Sequence, residues 1–336
     1  MEFVDYWLTD SGIIFKPNYN KSLNSISTHE DLLKCQDKIK YMIFASNTDP
    51  TTIIEKSLKY LLPIDEYFFE YEKENFDDFL SSDNLKKYIL PQTYRASIFN
   101  SSIDDILFPL TYLSLSESFN QQILNYPSTI TYLLFGKNFN KPIDNLPLKL
   151  QFLILGYHFD KPIKNIPKTL IYLNIHGRYS YTLENLPNEL KYLFVSNIDY
   201  NIADNLPQTI RFLFLMGILN YPVDNLPDSI YYLNLGFRFN HLIDLLPNNI
   251  KYLQLHNHTY SHPIDNLPNS LEYLKLNMDY FIHSIDNLPD SIKFIFMPKH
   301  YDKKINNFPK SLKTIVCANK YRYIQDFSNY TIEYIY

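Results

Sequence analysis

Ile264-Asp265-Asn266-Leu267-Pro268-Asn269-Ser270-Leu271-Glu272-Tyr273-Leu274-Lys275-Leu276 is one copy of a frame that the chain repeats to its C-terminus. Its proline recurs at Pro127, Pro147, Pro167, Pro187, Pro207, Pro227, Pro247, Pro268, Pro289 and Pro309. The intervals are 20 residues, except the two ending at Pro268 and Pro289, which are 21. A fixed period of this length marks a solenoid, in which each copy is one supersecondary turn stacked on the next.

Within a copy, Tyr273-Leu274-Lys275-Leu276 alternates with the period of a strand. The pattern points Leu274 and Leu276 inward with Leu271, Ile264 and Leu267, and turns Tyr273 and Lys275 to the other side. Proline after Leu267 stops a helix and favours extended or polyproline backbone. Twenty residues leave no room for a full helix on the return path. The expected fold is therefore mainly β, with short parallel strands on a concave face and extended or polyproline segments on a convex one. Leu271-x-x-Leu274-x-Leu276 has the spacing of a leucine-rich-repeat strand.

With the central aromatic as register, the copies centre on Tyr112, Tyr132, Phe152, Tyr172, Tyr192, Phe212, Tyr232, Tyr252, Tyr273, Phe294, Thr314 and Tyr334. This places an elongated solenoid of about twelve repeats over residues 103–336. Residues 1–102 read as a less regular N-terminal cap or degenerate repeats. Ile39-Lys40-Tyr41-Met42-Ile43-Phe44 fits the strand frame and Leu58-Lys59-Tyr60-Leu61 fits most of it, while residues 75–89 have the composition of a short helix. A cap is required because an uncovered end exposes core and strand edge.

The bulk composition excludes several classes. Of 336 residues only 6 are Gly, against 30 Tyr and 24 Phe, which supplies a long core with few flexible joints. A net charge of -5 offers no long-range attraction for nucleic acid or anionic lipid, so neither is an expected partner. Two cysteines, Cys35 and Cys317, build no disulfide framework and fit a reducing compartment. The start Met1-Glu2-Phe3-Val4 lacks a signal-peptide pattern, and no apolar run is long enough for a membrane span. The expected location is cytoplasmic, not secreted.

Repetition turns each position into a column. Asn145, Asn165, Asn185, Asn205, Asn225, Asn266 and Asn287 form one, broken at Leu245, and are expected as a structural ladder satisfying turn backbone groups. Asp204, Asp224, Asp244, Asp265 and Asp286 stand beside it and are expected to be solvated or to accept backbone amides; the Gly-rich frame of a calcium-binding β-roll is missing. His256, His258 and His262, with His283 beyond, read as loop-edge side chains, since zinc needs three or four converging ligands. No metal or cofactor is expected. The chain has no Gly-x-Ser-x-Gly, phosphate-cradling loop or His-Glu-x-x-His, so no catalytic residues are assigned. Cys317 falls at a core-facing position.

The column two residues after the aromatic one varies, as a recognition face would. Phe194 and Phe214 in it, with Tyr192, Phe212 and Phe152 in the aromatic column and Met216 beyond, are the candidate partner-binding patch.

Phe139-Asn140-Lys141-Pro142-Ile143, with the variants Phe159-Asp160-Lys161-Pro162-Ile163 and Leu219-Asn220-Tyr221-Pro222-Val223, resembles the naming motif of the FNIP-repeat family. That family occurs in social amoebae and giant DNA viruses and is close to leucine-rich repeats. The resemblance implies a non-catalytic protein-interaction scaffold with an unknown protein partner, in the host cytoplasm if viral. Members that carry an F-box imply a substrate adaptor of a ubiquitin pathway; here Leu32-Leu33-Lys34-Cys35 lacks the preceding Leu-Pro and acidic pattern. An adaptor or ligase working through the N-terminal region and a structural or virion protein remain the alternatives. Oligomeric state is left open.

Overall fold

The structure, a computed structural model, describes residues 5–8, 12–16, 18–23, 32, 36–44, 97–104, 106, 108–198, 200–217, 220–256 and 260–335. Contacts divide the chain into two compact units, residues 1–170 and 171–336. Each is a parallel-strand β-solenoid. The stretches Leu58–Leu61 and 75–89 lie outside the described residues.

In the first unit, β1 (Tyr6–Leu8) runs antiparallel to β2 (Gly12–Phe15). From β2 onward the pairing is parallel: to β3 (Tyr41–Phe44), β4 (Tyr112–Ser114), β5 (Tyr132–Leu134) and β6 (Phe152–Leu155). Tyr41 faces Tyr112 across the ladder, which places the Ile39–Phe44 echo in register with the regular repeats. The second unit continues the pattern with β7 (Tyr172–Ile175), β8 (Tyr192–Ser196), β9 (Phe212–Met216), β10 (Tyr232–Leu235) and β11 (Tyr252–Leu255). Then follow β12 (Tyr273–Leu276), β13 (Phe294–Phe296), β14 (Thr314–Ala318) and β15 (Thr331–Ile335), each parallel to its predecessor.

The repeated proline has a defined task. The carbonyl of Pro147 accepts the amide of Leu150 at 3.0 Å, and Pro187, Pro227 and Pro268 do the same for Leu190, Ile230 and Leu271. Proline thus opens a β-turn whose closing amide belongs to the buried residue three places on, in a slot where its missing N–H costs nothing. The next coil reinforces this corner: the hydroxyls of Thr129, Thr209, Ser229, Ser270 and Ser291 donate to the carbonyls of Leu110, Leu190, Ile210, Ile250 and Leu271.

Ile264, Leu267, Leu271, Leu274 and Leu276 are all buried, as their spacing predicts. A further core column is aromatic. Phe99, Phe119, Phe139 and Phe159 stack at 6.0 to 6.1 Å between ring centroids, and Phe99 also lies against Phe44 at 3.9 Å. Phe99, Phe119 and Phe139 open Phe-Asn pairs and Phe159 opens the variant Phe159-Asp160, and Tyr19-Asn20 occupies the same place after β2. Backbones approach closely at the strand ends: a Cβ on Gly156 would lie 1.9 Å from the carbonyl oxygen of Gly136. Three of the chain's few glycines, Gly136, Gly156 and Gly236, sit in this column.

Candidate interaction surfaces

Strand alternation assigns Tyr192 and Phe194 to one sheet face and Leu193 and Val195 to the other. Both faces are buried. Phe152 is 4% exposed, Tyr192 2%, Phe194 2%, Phe212 3% and Phe214 2%, while Met216 is half-buried. The sequence expectation of an exposed aromatic patch is therefore corrected: it is packed. Phe194 and Phe214 lie ring on ring at 4.2 Å, Tyr172 contacts Phe194 at 5.0 Å, and Phe214 contacts Tyr232 at 4.6 Å. The rings of the aromatic and variable columns contact one another, and their hydrophobic area is already withdrawn from water.

This face opens at β12. Upstream, Tyr232, Asn234, Tyr252 and Gln254 are all buried. Downstream, Tyr273 and Lys275 of β12 and Phe294 and Phe296 of β13 are half-buried, while Leu274, Leu276 and Ile295 on the opposite face stay in the core. The Lys275 ammonium sits 5.1 Å from the centre of the Phe296 ring. Two further strands follow β13, so the opening is not confined to the last coil described.

Each strand is entered through one residue whose amide donates to its counterpart on the previous coil. In the second unit this entry column reads Lys191, Arg211, Tyr231, Lys251, Glu272, Lys293 and Lys313, at N–O distances of 2.8 to 2.9 Å. Glu272 bridges two rungs: one carboxylate oxygen takes Lys251 and the other Lys293. Burial works against its charge, but the bonds and charges of the two lysines hold its carboxyl below the usual range.

The predicted asparagine ladder occupies exposed turns. Asn145, Asn165, Asn185, Asn205, Asn225, Asn266 and Asn287 are all solvent-accessible. In place of a buried amide ladder, the Asn225 and Asn287 side chains donate to Asp204 and Asp265 at 2.7 and 3.1 Å. Asp104 instead takes the amides of Leu124 and Asn125 directly, at 2.7 and 2.9 Å. A second asparagine column, the one in the Phe-Asn motif, carries the amide-to-backbone ladder. Asn20, Asn100, Asn120 and Asn140 each accept, through Oδ1, the backbone amide at the same position of the next coil at 2.8 to 3.0 Å. Asn220 and Asn240 do so in the second unit. The Phe-Asn pairs at fixed spacing were the available signal.

Histidines also form a column. Nε2 of His241, His262 and His283 lies 3.0, 3.1 and 2.7 Å from the carbonyls of Asn220, Asn240 and Ser261 on the preceding coil. A carbonyl only accepts, so Nε2 carries the hydrogen. His256 packs on Phe237 at 4.1 Å, and His258 lies outside the described residues. Among the described residues no group of three or more His, Cys, Asp or Glu could hold a metal ion. Cys317 is 1% exposed, and burial pushes its thiol up; Cys35 lies outside the described residues. No helix among the described residues is long and apolar enough to cross a membrane.

A family model for the FNIP Repeat matches residues 139–178, 221–258 and 260–300. No curated protein matches the chain. Among solved structures, the giant-virus protein CroV588, described as a novel circular LRR protein, is similar at 21% identity with a TM-score of 0.57. The similarity covers 94% of this chain and 51% of that one, so the chain spans about half of its length. YopM from Yersinia enterocolitica is similar at 18% identity with a TM-score of 0.42, over 66% of this chain and 58% of that one. The chain thus matches the FNIP repeat at three places, and its fold is a leucine-rich-repeat-like β-solenoid.

Proposed function

We propose that the chain is a non-catalytic protein-interaction scaffold of the cytoplasm whose recognition surface is the open sheet face at β12 and β13. The observation that carries this reading is the contrast along one pair of columns. Tyr232 and Asn234, then Tyr252 and Gln254, are buried, and the next two rungs present Tyr273, Lys275, Phe294 and Phe296 to solvent on the same rigid ladder. Aromatic side chains held in register and half out of water are the groups through which a partner gains most on desolvation. The repeat family and the solenoid fold support the scaffold role.

Affinity purification after mild cross-linking, followed by mass spectrometry, tests it. One dominant partner is expected, and Tyr273→Ala with Phe296→Ala should remove it while the melting temperature stays close to that of the unaltered chain. Ubiquitin-ligase subunits in its place would favour an adaptor. Recovery of no partner at all would count against the scaffold.

A further inference from the structure

Asn225 and Asn287 tie their turns to the coil before, since each side chain donates to an aspartate there, Asp204 and Asp265. Asn205 holds the same place in its own coil, but its counterpart on the coil before is Glu184. The glutamate is one methylene longer, and its Oε1 accepts the hydroxyl of Thr182 at 2.9 Å. Among the described residues no hydrogen bond joins Asn205 to Glu184, and the side-chain amides of Asn185 and Asn188 make none either. The column that is satisfied within the protein at later coils is therefore open at this one.

The backbone differs here too. Asp144–Asn145, Asp224–Asn225 and Asp244–Leu245 each make a plain turn. Asn185 instead adopts a left-handed φ of 56°, a conformation that asparagine tolerates better than most residues. The next coil turns its corner with a short 3-10 helix over Ala203–Asn205. Between these two unlike corners lies a cleft of about 450 Å³, within the size range of small-ligand sites. One coil lines it with Glu184, Asn185 and Asn188, and the next with Asn205. Leu186, Leu206 and Pro207, the first two of them buried, add apolar surface.

We infer that this cleft binds a neutral saccharide. The donor and acceptor set selects the class. The amides of Asn185, Asn188 and Asn205 each donate and accept, while the Glu184 carboxylate only accepts. The hydroxyls of a pyranose also donate and accept, so two neighbouring hydroxyls can bridge a carboxylate and an amide. Leu186, Leu206 and Pro207 suit the C–H face of such a ring. Glu184 repels a phosphate or a carboxylate ligand. A metal ion is disfavoured as well, since among the described residues no group of three or more His, Cys, Asp or Glu could hold one. The cleft lies on the turns and not on the β12–β13 sheet face, and it stands independently of the scaffold reading.

The test is saturation-transfer NMR on the full chain, with D-glucose, D-mannose, D-galactose and N-acetyl-D-glucosamine as probes. Transfer to at least one of them is expected, with a dissociation constant on the order of 1 mM for so small a ligand in an open site. Asn205→Leu should weaken that binding roughly tenfold or more, because it removes a donor and an acceptor together. Leu245 already occupies this column, so the variant should fold, and its melting curve checks this. Asn188→Leu makes the same test from the other coil. Asn266→Leu, in the same column three coils on, should leave binding unchanged. Absence of transfer to all four sugars overturns the inference. So does unchanged binding in both Asn205→Leu and Asn188→Leu, or an equal loss in Asn266→Leu.

Discussion

Phe194 and Phe214 stack at 4.2 Å between ring centroids with each ring 2% exposed, so two residues whose column varies along the sequence are part of the core. Their burial predicts that Phe194→Ala or Phe214→Ala lowers stability by about 3–5 kcal/mol, the range for emptying a buried aromatic site. Urea unfolding followed by circular dichroism measures this. A midpoint unchanged in both variants would contradict the packed face.

The two asparagine columns should separate cleanly. Asn140 accepts the Asp160 amide at 3.0 Å and its own amide is bound by Asn120, whereas Asn145 sits on an exposed turn. Asn140→Ala should cost about 1–3 kcal/mol by leaving a backbone donor without its partner. Asn145→Ala should stay within about 0.5 kcal/mol of the unaltered chain, as surface changes do. Reversed urea midpoints would mean that the turn column carries the ladder after all.

Tyrosine hydroxyls inside the coil predict opposite signs for one substitution. Tyr321 donates to the carbonyl of Lys303 at 2.6 Å, while the Tyr260 hydroxyl is buried without a hydrogen-bond partner. Tyr321→Phe should destabilise by about 1 kcal/mol, and Tyr260→Phe should stabilise by a similar amount, because it removes a desolvated group that gains nothing. Thermal melts of the two variants run side by side decide it.

Stability should fall steeply in alkali. Burial pushes the hydroxyls of Tyr200 and Tyr301 up to about 12, and raises those of Tyr172, Tyr232 and Tyr260 further. A tyrosine whose folded pKa lies above its unfolded value binds its proton more firmly when folded. Its contribution is complete below the unfolded value of about 10 and is lost as pH rises through the folded value. The melting temperature should therefore decline from about pH 10 upward. A spectroscopic tyrosinate titration should show a late, cooperative step coinciding with unfolding. Gradual titration of every tyrosine near the free value would refute this.

The period, the strand frame and the inward set Ile264, Leu267, Leu271, Leu274 and Leu276 were determined by the sequence, because a stacked coil repeats its contacts and so must repeat its residues. The proline was legible as a break but not as the acceptor that closes a turn onto the Leu or Ile three places on. Tertiary structure alone decided that the Tyr192–Phe194 side is also closed. Alternation assigns a side chain to one face or the other, and it carries no information about what lies over that face. The same gap explains the asparagines: both columns repeat equally well in sequence, and only the path of the chain between coils places the Asn140 amide, and not the Asn145 one, against its neighbour's backbone. The Lys251–Glu272–Lys293 bridge was decided there too, since the three residues are 21 apart along the chain and become adjacent only when coil stacks on coil.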